Sequence, residues 1–294
     1  MKGYSLHILL IASLFMLLLS CQDTFLPADK DEIVVEGWID AGSFPVVIVT
    51  RSLPVRLRDY GIPLDEISDY VEKWAKVTVS DGENSVVLTG GRTGKFVPGY
   101  IYTTGYMRGE AGKTYTLTVQ TRGKSVSAET TIPLYPPSVD SVVCSHLPSD
   151  TSFCQVTAFL RNNPDRKEYF KTFFLIGEQE EQYLSSLLGV VDDELADSVF
   201  EMPIIKSGSD YNKSDKTRYF ANDTTVSIKI STMDSISYEI WKSYEDNSRL
   251  RSVFFSSSVR EVVSNIEGGR GYWCGYNSFC LYFKAAPAIF PGND

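Results

Sequence analysis

The sequence predicts a mainly β protein, with an N-terminal immunoglobulin-like β-sandwich followed by a β-rich domain that contains one or two helices. Three observations predict this class. Short runs of alternating apolar and polar residues recur along the chain, turn sequences separate these runs, and helical spacing is confined to a few short segments. Short strands at such regular intervals are typical of antiparallel sandwiches.

Strand signals are dense between residues 33 and 136, which we predict to form the sandwich. Residues 76–80 alternate, the turn Asp81-Gly82 follows, and residues 85–88 resume the β pattern, which is a strong hairpin signal. Ile67, Tyr70, Val71 and Trp74 fall at helical spacing and predict a helix inserted into this block.

A proline-rich segment ends the first block. The stretch Ile132-Pro133-Leu134-Tyr135-Pro136-Pro137 contains three prolines, which cannot donate hydrogen bonds to a sheet. We therefore place a domain boundary after residue 136, and residues 137–294 form the predicted β-rich C-terminal domain.

The second block also contains helical patterns. Met233, Ile236, Ile240, Trp241 and Tyr244 fall at helical spacing and predict a helix near 233–249. A second, short helix is possible from residue 183 to residue 188. The rest of the block reads as strands and polar loops.

The N-terminus has the three parts of a secretory signal. Lys2 precedes an apolar stretch from Ile8 to Leu19, and Ser20 is a small residue at the cleavage position. About a dozen apolar residues are too few to span a bilayer, which takes roughly 20. We therefore predict that residues 1–20 are a cleaved leader.

The cysteine that follows the leader predicts a lipid anchor. Leu18-Leu19-Ser20-Cys21 resembles the lipobox of bacterial lipoproteins, in which the thiol of the cysteine is acylated. Each buried CH₂ of an acyl chain contributes about 0.8 kcal/mol, so two or three chains hold a protein stably on a membrane. Residues 21–32 are then a flexible tether between Cys21 and the folded body.

The charge of the mature chain argues against some partners. Without the leader, 274 residues remain, with 27 basic and 37 acidic side chains and a net charge of −10. This balance disfavours nucleic acid and anionic lipid surfaces as partners.

Four cysteines remain after Cys21, and they form two local pairs. Export to an oxidising compartment favours disulfides, and four cysteines allow three pairings. We favour Cys144–Cys154 and Cys274–Cys280, because each pair flanks a plausible turn. A four-cysteine zinc site is the alternative, although the spacings do not match those of common zinc sites.

A glycine- and aromatic-rich segment near the C-terminus is the candidate binding loop. Arg270, Tyr272, Trp273 and Tyr276 are residue types enriched at binding hot spots, and the glycines around them permit close backbone approach. The alternative is a terminal β-hairpin whose aromatic side chains pack on the core.

Little in the sequence indicates catalysis, and we expect a protein that is not an enzyme and has no cofactor. His146 is the only histidine after the leader, which excludes a His-rich metal site. A Ser-His-Asp triad would have to use His146, which we expect in a turn. Asp192, Asp193 and Glu194 are carboxylates that a glycoside hydrolase could use, but adjacent acids in a polar stretch usually form a solvated surface.

Three segments resemble one protein family. Residues 34–39 (Val-Val-Glu-Gly-Trp-Ile), the Asn163–Asp165 turn before Tyr169 and Phe170, and above all residues 264–272 (Ser-Asn-Ile-Glu-Gly-Gly-Arg-Gly-Tyr) are similar to the domain-of-unknown-function 4249 lipoproteins of Bacteroidota. The resemblance covers nearly the whole mature chain. It implies an outer-membrane lipoprotein with an accessory role beside a TonB-dependent receptor.

The expected function is therefore a non-catalytic one. The chain is expected to be a binding or accessory subunit of a TonB-dependent nutrient uptake system, held to the membrane through Cys21. A surface adhesin or structural lipoprotein is the alternative, and a carboxylate-dependent envelope hydrolase is a third.

Overall fold

A computed structural model describes residues 32–52, 67–177, 182–194, 198–206, 218–253 and 262–293. The predicted leader, Cys21 and the predicted tether up to residue 31 lie outside these residues.

The described part of the chain forms strands almost throughout, with one α-helix near the C-terminus. The elements in chain order are β1 Ile33–Asp40, β2 Val46–Arg51, β3 Lys76–Ser80, β4 Ser85–Val87, β5 Thr89–Arg92, β6 Tyr100–Thr103, β7 Thr114–Thr121, β8 Lys124–Thr131, β9 Val139–Leu147, β10 Asp150–Arg161, β11 Tyr169–Ile176, β12 Leu184–Asp192, β13 Val199–Ile204, β14 Phe220–Ala221, β15 Thr225–Met233, α1 Ser235–Val253, β16 Arg270–Lys284 and β17 Ala288–Pro291.

Three sheets organise these strands. The large sheet has eight strands in the order β12-β11-β15-β16-β1-β2-β6-β5. A four-stranded sheet has the order β4-β3-β7-β8, and a five-stranded sheet has the order β13-β10-β9-β17 with β14 beside β10.

One parallel pairing joins the N-terminal and C-terminal halves of the large sheet. Strands β1 and β16 run parallel, with Val34 opposite Arg270 and Asp40 opposite Tyr276. All the other strand pairs of the large sheet are antiparallel. The boundary predicted after residue 136 lies between β8 and β9, and the segments on its two sides share this one sheet.

The two smaller sheets pack against the same face of the large sheet and enclose two cores. Alternation along β1 places Ile33, Val35 and Ile39 in a core with residues of the four-stranded sheet such as Val77 and Leu117. A second core joins strands β11 and β15 of the large sheet to β9 and β10 of the five-stranded sheet. Side chains alternate between the faces of a strand, so the remaining residues of these strands point the other way.

The opposite face of the large sheet, called here the aromatic face, is covered in part by α1. Helix α1 contacts strands β11, β12 and β16. Asp234 begins the helix as its N-cap, because its carboxylate Oδ1 accepts the Ser237 N–H at 2.9 Å. The other oxygen, Oδ2, accepts the Thr131 N–H at 2.9 Å and ties the helix start to β8.

The mainly β class predicted from the sequence is confirmed, whereas the immunoglobulin-like topology of the first block stays a prediction. The helix predicted near 233–249 is found as α1. The short helix considered from residue 183 to residue 188 is wrong, because Leu184–Asp192 forms β12 and pairs with β11. The helix predicted from Ile67 to Trp74 is wrong, because only Ser68–Tyr70 forms a 3₁₀ turn and Val71 is already extended and bridged to Thr50.

In the described ranges, no helix is both long enough and apolar enough to cross a membrane.

Candidate functional site

Aromatic side chains of β11, β16 and α1 form a cluster on the aromatic face. The ring of Phe173 lies 5.8 Å from Trp241 and 5.6 Å from Tyr276, and Trp241 lies 5.3 Å from Tyr272. The Trp241 indole N–H donates to the Tyr276 hydroxyl oxygen at 2.7 Å. This cluster fixes α1 on the sheet through ring packing and one directed hydrogen bond.

A fully buried lysine lies beneath the helix. Lys171 on β11 has no exposed side-chain surface, and its Nζ lies 3.2 Å from Oε1 of Glu245 on α1. The same carboxylate oxygen accepts the Gly189 N–H at 2.9 Å, and Lys171 also donates to the Ser186 carbonyl oxygen. One charged group on the sheet and one on the helix thus neutralise each other in the interior.

Burial lowers the pKa of Lys171 to about 8, and the neighbouring Glu245 partly opposes that shift. The ammonium therefore keeps its proton at neutral pH. As the pH rises, Lys171 in the folded chain loses its proton at a lower pH than an ordinary lysine does. At that pH the same lysine in the unfolded chain is still protonated.

This difference predicts a rise in stability between pH 8 and pH 10. In that window the unfolded chain binds more protons than the folded chain, so the free energy of unfolding increases with pH. We expect a contribution on the order of 2 kcal/mol from Lys171. Urea unfolding at several pH values would measure it.

The matched control for that pH series is the double variant Lys171→Met/Glu245→Leu, in which neither buried charge remains. The prediction is wrong if the double variant shows the same rise between pH 8 and pH 10 as the native chain.

A second buried lysine lies on the same face, two strands away from its partner. Lys229 on β15 reaches over β16 to Asp40 on β1, with Nζ 2.6 Å from Oδ1. Ser278 donates to the same oxygen at 3.0 Å. The Lys229 ammonium also lies 5.0 Å from the centre of the Tyr276 ring, so its charge is balanced by a carboxylate and by ring faces.

Glu36 is the unusual acid of this face. It lies on β1 opposite Tyr272 of β16 and Ile48 of β2. Within the described ranges Glu36 has no hydrogen-bond or ion-pair partner, and burial raises the pKa of its carboxyl group. Its surroundings therefore favour the neutral acid.

The residues predicted as a binding loop do not form a loop. Arg270, Tyr272, Trp273 and Tyr276 all lie in β16, a central strand of the large sheet. Trp273 is completely buried in the first core, and its indole N–H donates to the Tyr115 carbonyl oxygen at 2.9 Å. Both faces of β16 are covered, so its aromatic side chains point alternately into the first core and into the cluster under α1.

The single residue of that predicted loop with an exposed side chain is Arg270, at the start of β16. Its Nε lies 2.6 Å from Oε2 of Glu32. The sequence between Ile266 and Arg270 turns the chain before the strand, where Gly268 has a positive φ of 77°.

The adjacent acids considered for hydrolysis all serve the structure around β11 and α1. Asp192 Oδ2 accepts the Tyr238 hydroxyl at 2.8 Å, and Asp193 Oδ2 accepts the Glu168 N–H at 2.8 Å. Glu194 pairs with Lys167 at 3.0 Å. Each of the three carboxylates thus has a defined structural contact.

The predicted Cys274–Cys280 disulfide is wrong. Both residues lie in β16, six positions apart on one continuous strand. A strand rises about 3.3 Å per residue, so their Cα atoms are about 20 Å apart, whereas a disulfide needs less than about 7 Å. Cys274 is buried, and burial raises the pKa of its thiol to about 12.

The other predicted pair, Cys144 and Cys154, lies on neighbouring strands. Both thiols are free and buried, and they contact each other across β9 and β10. Burial and the Cys154 thiol raise the pKa of Cys144 to about 12, which keeps it protonated. His146 Nδ1 lies 3.9 Å from the Cys154 sulfur.

We predict that Cys144 and Cys154 form a disulfide in an oxidising compartment. The bridge would close a loop of 11 residues and stabilise the chain by about 3 kcal/mol. Mass spectrometry of peptides digested without reductant would find the two cysteines linked. Finding both alkylated as free thiols in exported protein would contradict the prediction.

In the ranges that the structure describes, no three side chains of histidine, cysteine, aspartate or glutamate lie together so that they could hold a metal ion. The four-cysteine zinc alternative fails on geometry, because Cys274 and Cys280 cannot reach one ion from opposite ends of a 20 Å stretch of strand.

The sequence did not identify the residues that organise the aromatic face. Lys171, Lys229, Asp40 and Glu245 come from four different elements. The available signal was weak: Lys171 and Thr172 interrupt a largely apolar β run at Tyr169–Ile176, whereas Lys229 occupies one of the alternating polar positions of Thr225–Met233. A charged residue inside such a run indicates a buried partner elsewhere in the chain.

Comparison with protein families places the chain. A family model described as a domain of unknown function, DUF4249, matches residues 22–279. No curated protein matches the chain. Because the match covers most of the 294 residues, the chain belongs to the DUF4249 family.

Proposed function

We propose that this protein is a lipid-anchored outer-membrane protein of Bacteroidota that acts without catalysis, as a binding or accessory subunit of a TonB-dependent nutrient uptake system. The observation that carries the proposal is the leader followed by Leu18-Leu19-Ser20-Cys21, which resembles a lipobox. An acylated Cys21 confines an otherwise water-soluble chain to a membrane surface.

The position of the first strand supports a tethered body. Strand β1 starts at Ile33, so 11 residues lie between Cys21 and the first strand. The folded part then lies beside the membrane and not within it, where it can contact a membrane receptor.

The contacts on the aromatic face support a non-catalytic role. The Lys171 and Lys229 ammonium groups are each paired with a carboxylate, and the acids at 192–194 each have a structural contact. Groups held in such closed pairs stabilise the interior, whereas catalytic groups must face the substrate.

Affinity purification tests the proposed partnership. The full chain with a C-terminal tag would be purified from detergent-solubilised membranes of the cells that make it, and co-purifying proteins identified by mass spectrometry. A Cys21→Ser chain is the control, because it is exported without the anchor. We expect a TonB-dependent receptor to be enriched with the native chain, and its absence from an intact membrane extract would contradict the proposal.

A further inference from the structure

The N-terminal sheets end in a group of loops and strand ends that we call the basal end. Strands β1 and β3 begin there, and the hairpin between β7 and β8 turns there at Arg122 and Gly123. Strand β16 also begins there, since Arg270 lies opposite Val34. The basal end is therefore the end from which the chain leads back toward Cys21.

A nearly fully exposed tryptophan lies at the basal end. Trp74 lies two residues before β3, in the turn that leads into this strand, and is 94% exposed. Its neighbours are fixed: the Ala75 N–H donates to the Tyr102 hydroxyl at 2.9 Å, and the Tyr100 hydroxyl donates to the Lys73 carbonyl oxygen at 3.0 Å. An ordered backbone thus holds the indole in solvent. Exposing its apolar ring to water costs free energy, and contact with a membrane interface would remove that cost.

The charges around Trp74 differ from those of the whole chain. Among the residues that the structure describes, the basal end carries six basic and four acidic side chains, whereas the mature chain carries a net charge of −10. The basic residues are Arg51, Lys73, Lys76, Arg122, Lys124 and Arg270, and the acidic ones are Glu32, Asp69, Glu72 and Glu267.

Two of those acids are neutralised within the basal end. Glu72 lies 3.3 Å from Arg51 and 3.8 Å from Arg122, and Glu32 pairs with Arg270. Lys76 is exposed and has no ion-pair partner in the described ranges, so it contributes an uncompensated positive charge beside Trp74.

We propose that the basal end rests on the phospholipid bilayer, with the Trp74 ring at the level of the headgroups and the surrounding lysines facing anionic lipid. Tryptophan concentrates at membrane interfaces because its ring is apolar and its N–H is polar. Each nearby lysine or arginine adds attraction to an anionic leaflet. The proposal rests on the proposed lipid anchor at Cys21.

The length of chain before β1 fits this occupant. The 11 residues between Cys21 and Ile33 span at most about 40 Å when fully extended. A tether of this length keeps the folded body near the bilayer, and because β1 follows the tether directly, the basal end is the part of the body nearest to the anchor along the chain. The opposite end lies about 26 Å from the start of β1, since the eight residues of β1 rise about 3.3 Å each.

The opposite end supplies a matched control. Tyr106 lies in the loop after β6 and is 93% exposed, and it follows Thr103, which pairs with Val46 at the far end of β2. The two exposed aromatic residues therefore occupy opposite ends of the same pair of sheets. If the bilayer contacts only the basal end, a tryptophan placed at Tyr106 stays in water.

The test uses the full lipidated chain in vesicles of phosphatidylethanolamine and phosphatidylglycerol with brominated acyl chains, which quench tryptophan at the interface. Emission from the Trp74→Phe chain gives the background of the other three tryptophans. We expect brominated lipid to quench the emission that Trp74 adds. In the double variant Trp74→Phe/Tyr106→Trp, brominated lipid should leave the emission added by the tryptophan at position 106 unchanged.

The other outcomes separate this proposal from the anchor. If the protein floats with the vesicles but the Trp74 emission is unchanged, or if both positions are quenched equally, the basal end does not face the bilayer and the anchor stands. If the native chain does not float with vesicles at all, both the anchor and the docking are wrong.

Discussion

Replacing Glu245 with leucine is expected to lower the free energy of unfolding by about 3–5 kcal/mol. The Lys171 ammonium would then be buried without a counter-charge, since Glu245 is the carboxylate beside it at 3.2 Å. The Gly189 N–H would lose its acceptor as well. Urea unfolding at neutral pH measures the change.

Two controls give this prediction its specificity. The double variant Lys171→Met/Glu245→Leu removes both charges and should recover most of the lost stability, because apolar pairs of similar volume replace buried ion pairs well. The exposed pair Lys167–Glu194 has nearly the same separation, 3.0 Å, so Glu194→Leu should change stability by less than about 1 kcal/mol. Equal effects at Glu245 and Glu194 would contradict the account of the buried pair.

Replacing Gly271 with alanine is expected to disrupt the joint between the two halves of the large sheet and to lower stability by more than about 4 kcal/mol. Gly271 lies in β16 opposite Val35 of β1, with a φ of 110°. A Cβ atom built there would lie 1.8 Å from the Val35 carbonyl oxygen, so the two strands would have to separate. Urea unfolding together with amide hydrogen exchange along β1 measures the effect.

Gly42 provides the matched control for Gly271→Ala. Its φ of 77° is also positive, but a Cβ atom there would meet nothing within 4 Å. Gly42→Ala should therefore show the backbone strain alone, about 1–2 kcal/mol. If the two alanine variants are equally stable, close approach of β1 and β16 is not what requires glycine at position 271.

Local patterns were sufficient to predict several hairpin strands and α1. Alternation in residues 76–80, the turn Asp81-Gly82 and the β pattern of residues 85–88 predicted the β3–β4 hairpin that the structure contains. Such signals depend on residues that are close in sequence, and the pairing of a hairpin follows from its turn.

Long-range pairing was not predictable in the same way. Glu32 and Arg270 form an ion pair although 238 positions separate them, and no local pattern indicates that β1 and β16 are neighbours. The glycines and aromatic residues of β16 suggested an exposed loop because the same residue types suit a loop and a strand buried on both faces. Leu184–Asp192 became a strand because β11 supplied its hydrogen-bond partners, which outweighed a local helical spacing.

The measurement that most directly tests the central claim is membrane fractionation of cells that make the native chain or Cys21→Ser. The account predicts that the native chain sediments with outer membranes and that the serine variant is recovered in the soluble fraction. Globomycin, which blocks processing of lipoprotein leaders, should leave the native chain unprocessed. A serine variant that still sediments with membranes, with processing indifferent to globomycin, would contradict the anchor and with it the proposed role at the membrane.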